Sequence, residues 1–333
     1  MRGSVGISDS SGAMSSVCTI CLPGPLIDKQ YAAYVIRVQA DSGYPKALAR
    51  GVREGGADFR RWETLAELPL PVPPIERQRA LVVYLERETA KIDALVDKQE
   101  RLIETLAERR QAVISLTIAR GLSDHDSREW TRSRLRFHLR LNPATPDRVR
   151  AMAEQPVPFI AMEAIGTDGT IDQRSSRPVH ELLAGYSYFE KDDLLMAKVT
   201  PCFENGKFAI ASNLSGSVGF GTTEVTVIRP DSSLNVEYLQ YVIRSDSFRR
   251  GGIAAMTGAG GLRRVPDSYL RNSEIALPPV SVQAEIVEHL NLETAQIDAL
   301  SAKAREMIDV LKERRKALIS AAVTGKLDAR GLA

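Results

Sequence analysis

The stretch ETAKIDALVDK, Glu88–Lys98, returns as ETAQIDALSAK at Glu293–Lys303. Sliding the chain against itself by 205 positions aligns Pro73–Ser115 with Pro278–Ser320 without a gap, and 21 of those 43 positions are identical. Unrelated sequences of ordinary composition would match at roughly one position in fifteen, so the two segments are a duplication. A shift of 207 carries the match further back. Thr19, Pro23, Tyr31 and the YVIR of Tyr34–Arg37 meet Thr226, Pro230, Tyr238 and the YVIR of Tyr241–Arg244. A unit of about two hundred residues present twice is too large and too few for a solenoid. It reads as a two-fold pseudo-symmetric molecule written in one chain. In this alignment Met1 meets Phe208, so the counterpart of Asp124–Lys207 is not found in front of the first copy. The first globular part is therefore expected to be partial.

The repeated segments read as long helices. Each opens on prolines, LPLPVPPIERQ at Leu68–Gln78 and IALPPVSVQ at Ile275–Gln283. Proline suits a rigid entry or a first helical turn but not a helix interior. Runs without proline or glycine follow, to Arg120 and to Thr324, and Gly121 and Gly325 stand where helix stops are expected. Apolar residues recur at heptad spacing at Leu81, Leu85, Ile92, Leu95, Leu102, Leu106, Val113 and Leu116. The second copy repeats the register at Ile286, Leu290, Ile297, Leu300, Met307, Leu311 and Leu318. This is a coiled-coil seam, with Glu88 and Arg109 and their twins Glu293 and Arg314 read as charged seam positions that set register. About forty helical residues span roughly 60 Å. Two such helices related by pseudo-symmetry are expected to pair antiparallel and to act as a ruler between two globular parts. The plainer alternative is that each packs only on its own domain.

The bulk composition bounds the class. Of 333 residues 44% are hydrophobic, 26% charged and 6% aromatic, the profile of a globular chain leaning toward helix. The net charge of +2 decides nothing about nucleic acid. No apolar run reaches the length of a membrane span, and MRGSVGISDSSG lacks the apolar centre of a signal peptide. Three cysteines form no disulfide framework, so a reducing cytoplasm is the expected setting.

The globular stretch Trp130–Ser273 mixes strand-like runs, KFAIAS at Lys207–Ser212 and TEVTVIRP at Thr223–Pro230, with a helix at Asn235–Arg250. An α+β domain is expected. The SVCTICL of Ser16–Leu22 is expected to be a strand of the partial first copy with a missing neighbour, and the apolar faces at Ile20, Tyr34 and Ile36 are expected to lose their cover. Signs of catalysis are few. Cys18–Cys21 has the spacing of a metal or redox pair but lacks a second pair or a nearby histidine. On a strand its two sulfurs would face opposite sides. His125, His138, His180 and His289 are scattered, and His289 aligns with Tyr84. TGAGG at Thr257–Gly261 resembles a phosphate loop only loosely, without the Lys-Ser/Thr of a P-loop. No catalytic residue and no metal ligand is assigned.

What remains are donors suited to nucleic acid. Lys198, Thr200, Asn205 and Lys207 share MAKVTPCFENGK, Thr222 and Thr223 follow shortly after, and TGAGGLRR supplies Thr257, Arg263 and Arg264. Arg128, Arg132, Arg134, Arg136 and Arg140 form a third group. Phosphates are held by Lys, Arg and backbone amides, and base edges are read by Arg, Asn, Lys and Thr. Yet basic and acidic residues balance at 19 each across Asp124–Glu274, so composition leaves DNA contacts and solvated loops equally open.

The order LPLPVPPIERQRAL…ETAKIDAL…LAERRQAVISL, then a variable domain, then IALPPVSVQAEIV…ETAQIDAL…LKERRKALISAAVTGKL resembles the specificity subunit of type I restriction–modification systems. GYSYFEKDDLLMAKVTPCFENGK is similar to the target recognition domains of that family. The resemblance implies two recognition domains, each reading half of a bipartite DNA site, and two helices forming an antiparallel coiled coil that sets the half-site spacing. It implies a partial first recognition domain at 1–67, a first long helix at 68–122, a second recognition domain at 123–274 and a second long helix at 275–330. It also implies a subunit without catalysis or cofactor of its own. S-adenosylmethionine, ATP and Mg would belong to two modification (methyltransferase) subunits and the restriction/motor subunits docked on it. A coiled-coil scaffold binding only proteins is the competing reading. A stand-alone DNA-modifying enzyme would need a methyl-donor pocket or nuclease carboxylates that the sequence does not show.

Overall fold

The computed structural model describes residues 5–8, 10–14, 18–42, 66, 69–122, 130–259 and 261–327. They fall into two compact units, Met1–Glu104 with Leu300–Ala333, and Thr105–Ala299. The helices are α1 (Lys29–Ser42), α2 (Ile75–Arg120), the short α3 (Asp147–Arg150) and α4 (Val179–Leu182), α5 (Val236–Arg244), α6 (Asp246–Ala255), α7 (Asp267–Asn272) and α8 (Val280–Val323). The long α2 and α8 contribute to both units. Both begin directly after a proline pair and end at glycines in the left-handed region, Gly121 at φ 77° and Gly325 at φ 76°.

In the first unit, Asp28 caps α1, its carboxylate accepting from the N–H groups of Gln30 and Tyr31. The buried Gln78 ties this cap to the start of α2. Its Oε1 accepts from Asp28 N–H at 2.8 Å, and its Nε2 donates to the carbonyls of Leu26 and Pro73. Tyr31 and Val35 of α1 are buried against Leu81, Val82 and Leu85 of α2 and Ile319, Ala322 and Val323 of α8. Arg315 Nε of α8 meets Asp93 Oδ1 of α2 at 3.0 Å. Ser16–Leu22 is not a strand over its described part. Cys18–Leu22 is exposed coil, with Ile20 66% and Leu22 89% exposed. Among the described residues it belongs to no sheet. Tyr34 and Ile36 lie half-buried on α1 instead.

The second unit repeats the capping arrangement. Asn235 caps α5 through Glu237 and Tyr238, and its N–H donates to Gln283 Oε1 at 2.7 Å. Gln283 Nε2 donates to the carbonyls of Ser233 and Pro278. Arg110 Nε and Asp298 Oδ1 meet at 3.0 Å, the positions equivalent to Arg315 and Asp93. The helix expected over Asn235–Arg250 is broken at Ser245 into α5 and α6.

The strands of this unit are β1 (Thr131–Arg134), β2 (Leu139–Leu141), β3 (Pro156–Ile160), β4 (Ser176–Pro178), β5 (Tyr186–Glu190), β6 (Leu194–Ala197), β7 (Phe208–Ile210), β8 (Val218–Thr222), β9 (Val225–Pro230), β10 (Thr257–Ala259), β11 (Leu262–Arg264) and β12 (Glu274–Leu277). One sheet has the order β2-β9-β6-β7 and another β4-β3-β8-β5, with β3–β8 the parallel pair. Residues Ile160, Phe189, Leu195, Ala209, Val225 and Val227 form a common core from both sheets. The opposite face of the first sheet, with Leu194, Met196, Phe208 and Ile228, packs with Tyr238, Leu239 and Val242 of α5, Ile114 of α2 and Ile286 and Leu290 of α8. Ile275–Leu277, grouped with the second long helix in the sequence reading, belongs to β12, which pairs with β1.

The buried face of the long helices differs from the expected seam. Leu85, Thr89, Ile92, Val96, Gln99, Ile103, Leu106, Arg110, Val113 and Thr117 are the buried or half-buried row of α2. On α8 the row is Leu290, Thr294, Ile297, Ser301, Ala304, Ile308, Leu311, Arg315, Leu318 and Ala322, in the same four-three spacing. Leu95, Leu102, Leu116, Leu300 and Met307 face outward, each 44–51% exposed. Glu88 bonds Arg87 and Lys91 on its own helix, and Arg109 and Arg314 are exposed, whereas Thr89, Arg110 and Arg315, one residue later, are buried or half-buried. Neighbouring rows on a helix share the same heptad period, and leucine content alone does not say which row meets a partner.

Candidate nucleic-acid interface

Residues Lys198–Lys207 leave the end of β6 and return as β7. Their backbone is pinned from two sides. Lys198 N–H donates to the Glu224 carbonyl at 3.0 Å, and Val265 N–H to the Lys198 carbonyl at 2.8 Å. Thr200 N–H donates to Arg263 O at 3.0 Å, and its hydroxyl donates to Gly261 O at 2.9 Å and accepts from Arg263 N–H at 3.0 Å. The turn that follows is anchored from beneath by the buried Phe203, packed edge-on against Phe208 at 5.6 Å. Behind it, Tyr269 donates to the Phe248 carbonyl at 2.6 Å, and burial pushes its phenol above the ordinary range.

Against this platform stands the β10–β11 hairpin, every strand residue of which is exposed. Its conformation depends on Gly258, at φ 138°, where a Cβ would lie 2.4 Å from Leu262 O. Arg263 Nη2 lies 3.7 Å from Glu204 Oε1, and Arg264 Nη2 3.2 Å from Glu224 Oε1.

Lys198, Thr200, Asn205, Thr257, Arg263 and Arg264 thus sit on one connected rim, with Asn205, Thr257 and the arginines exposed and Lys198 and Thr200 half-buried. Thr223 is exposed in the turn leading to Glu224, while Thr222 is half-buried at the end of β8 with its hydroxyl enclosed. Lys207 is engaged elsewhere, its ammonium donating to the Met162 carbonyl at 3.2 Å. The arginine group is carried on β1, β2 and the turn between them, where Arg136 bonds Asn272 and stacks on the exposed Phe137; Arg128 lies outside the described residues. The sequence reading missed Glu204 and Glu224, whose signal was an acid among donors in CFEN and TTEV.

The remaining motifs take structural places. TGAGG opens the hairpin. Cys18 and Cys21 are exposed free thiols, and His138 joins the Ser133 and Ser233 hydroxyls at 2.7 Å each. Among the described residues there is no His/Cys/Asp/Glu group able to hold a metal, and no helix long and apolar enough to cross a membrane.

This arrangement of sheets and long helices is the fold of HsdS, the specificity subunit of type I restriction–modification systems. The HsdS subunit of Thermoanaerobacter tengcongensis superimposes with a TM-score of 0.52 at 18% identity, covering 91% of this chain and 71% of that one. A chain from a structure describing complex assembly and conformational transition of the type I R-M system gives 0.59 at 18% identity, covering 88% and 71%.

In sequence, the chain is a relative of type I restriction enzyme specificity subunits of Escherichia coli. It is 38% identical to that of EcoEI over 183 residues, 54% of this chain and 30% of the relative. It is 34% identical to that of EcoAI over 169 residues, 50% and 28%. The match therefore spans about three tenths of those relatives' length. No protein-family model matches the chain.

Proposed function

We infer that the chain is a DNA-specificity subunit of a type I restriction–modification complex, acting in the cytoplasm. In this reading residues 123–274 are a target recognition domain, 1–67 part of a second, and 68–122 and 275–330 the long helices, paired antiparallel as a coiled coil that sets half-site spacing. Lys198, Thr200, Asn205, Thr257, Arg263 and Arg264 meet duplex DNA, with Thr222, Thr223 and Lys207 at the margin. The subunit carries no catalysis or cofactor. It docks two modification subunits, which bring S-adenosylmethionine, and restriction/motor subunits, which bring ATP and Mg.

The observation that supports this reading is that Lys198 and Asn205 from one segment and Thr257, Arg263 and Arg264 from another meet on one rim, which the hydrogen bonds of Thr200 tie together. Such a rim supplies charged and amide donors in fixed positions, as phosphate and base-edge recognition require. The outward row Leu95, Leu102, Leu300 and Met307 favours a second reading, a scaffold that binds only proteins. The two separate by selection of duplexes from a random pool. Enrichment of a short motif, lost in R263A/R264A, is expected; an unchanged pool refutes DNA reading and leaves the scaffold.

A further inference from the structure

Both cations of the hairpin already have partners. Arg263 is held by Glu204 from the turn between β6 and β7, and Arg264 by Glu224 from the turn between β8 and β9. Each acid is fixed through its own backbone, the Glu204 carbonyl accepting from Arg249 and the Glu224 carbonyl from Lys198 N–H. The four side chains are 33–48% exposed, within reach of a ligand in solution.

A carboxylate and a DNA phosphate compete for the same guanidinium fork. Resting on the reading of this rim as a DNA interface, we propose that Glu204 and Glu224 are specificity-determining residues, which hold Arg263 and Arg264 back from arbitrary duplex. A random phosphate run exchanges one ion pair for another and faces the displaced carboxylate as a like charge. A cognate groove adds base-edge contacts that outweigh this exchange. The acids therefore weaken non-specific binding more than specific binding. They also hold the arginines in place over the platform, so less side-chain freedom is lost on association.

The test uses the full chain and a labelled random-sequence duplex of about 30 base pairs, titrated from about 0.05 to 0.3 M salt. An exposed ion pair contributes about 1.4- to 5-fold, so E204Q/E224Q is expected to bind this duplex about two- to twenty-five-fold more tightly. The slope against salt should steepen as two cations become free to displace counterions. Adding R263A and R264A to the same chain should abolish the gain. Equal or weaker binding by E204Q/E224Q overturns the proposal, weaker binding being the result if the carboxylates accept from base amino groups. If R263A/R264A leaves both this affinity and the motif enriched from the random pool unchanged, the DNA-interface reading itself fails. Glutamine preserves side-chain length, and the single variants, each with part of the effect, serve should the pair lower Tm.

Discussion

Gln283 accepts a hydrogen bond from the Asn235 backbone N–H at 2.7 Å, and so fastens the cap of α5 to the first turn of α8. The same contact joins Gln78 to Asp28 at 2.8 Å. Both amides are fully buried and use their donors on carbonyls at each side. A buried group left without its partner costs about 1–3 kcal/mol, so Gln283→Ala should lower stability by ~2–4 kcal/mol in urea unfolding. Gln283→Glu should also destabilise, because a carboxylate would face the Ser233 and Pro278 carbonyls. An unchanged midpoint in both variants would show that the contact is incidental.

The two rows of the long helices should separate cleanly under substitution. Ile297 is 3% exposed and Leu300, three residues on, is 51% exposed. Ile297→Ala should cost ~2–4 kcal/mol, the usual range for emptying a buried aliphatic site. Leu300→Gln should stay within about 0.5 kcal/mol, as surface changes do. Ile92→Ala and Leu95→Gln are the matching pair on α2. Equal losses at both positions would place the outward row in a packed face.

That contrast marks the limit of what the sequence disclosed. The duplication, both long helices, their glycine stops and the strands at Phe208–Ile210 and Val225–Pro230 were legible, because period, proline and glycine act locally. The facing row was not. Thr89, Gln99 and Arg110 look like solvent residues, and only packing shows them turned inward. The rim was half legible. MAKVTPCFENGK and TGAGGLRR announced donors, but their meeting through Thr200 is a long-range event, and the restraining role of an acid depends on what lies opposite.

Arg110–Asp298 should behave as an orienting pair of modest strength. Partly exposed ion pairs contribute about 0.2–1 kcal/mol, and salt weakens them. Arg110→Asp should therefore destabilise through two facing carboxylates. The exchange R110D/D298R should restore most of the loss, giving a favourable coupling in a double-mutant cycle. Absence of coupling at low salt would mean that the 3.0 Å contact is not maintained in solution.

Glycine substitutions should distinguish platform from hairpin. At Gly252 a Cβ would lie 2.5 Å from Phe203 Cζ inside the core, so Gly252→Ala should cost about 1–3 kcal/mol by overpacking. Gly258→Ala strains only the exposed hairpin, so thermal melting should change little while DNA affinity falls. A large drop in Tm for Gly258→Ala would show that the hairpin supports the core.

The hairpin stands on its platform through main-chain bonds, and none of its six strand residues is buried. Selection for folding therefore places little demand on Thr257, Leu262, Arg263 or Arg264. Single substitutions at these positions should each be close to neutral for the fold. The helices, where Ile297 and Gln283 are enclosed, have no such latitude.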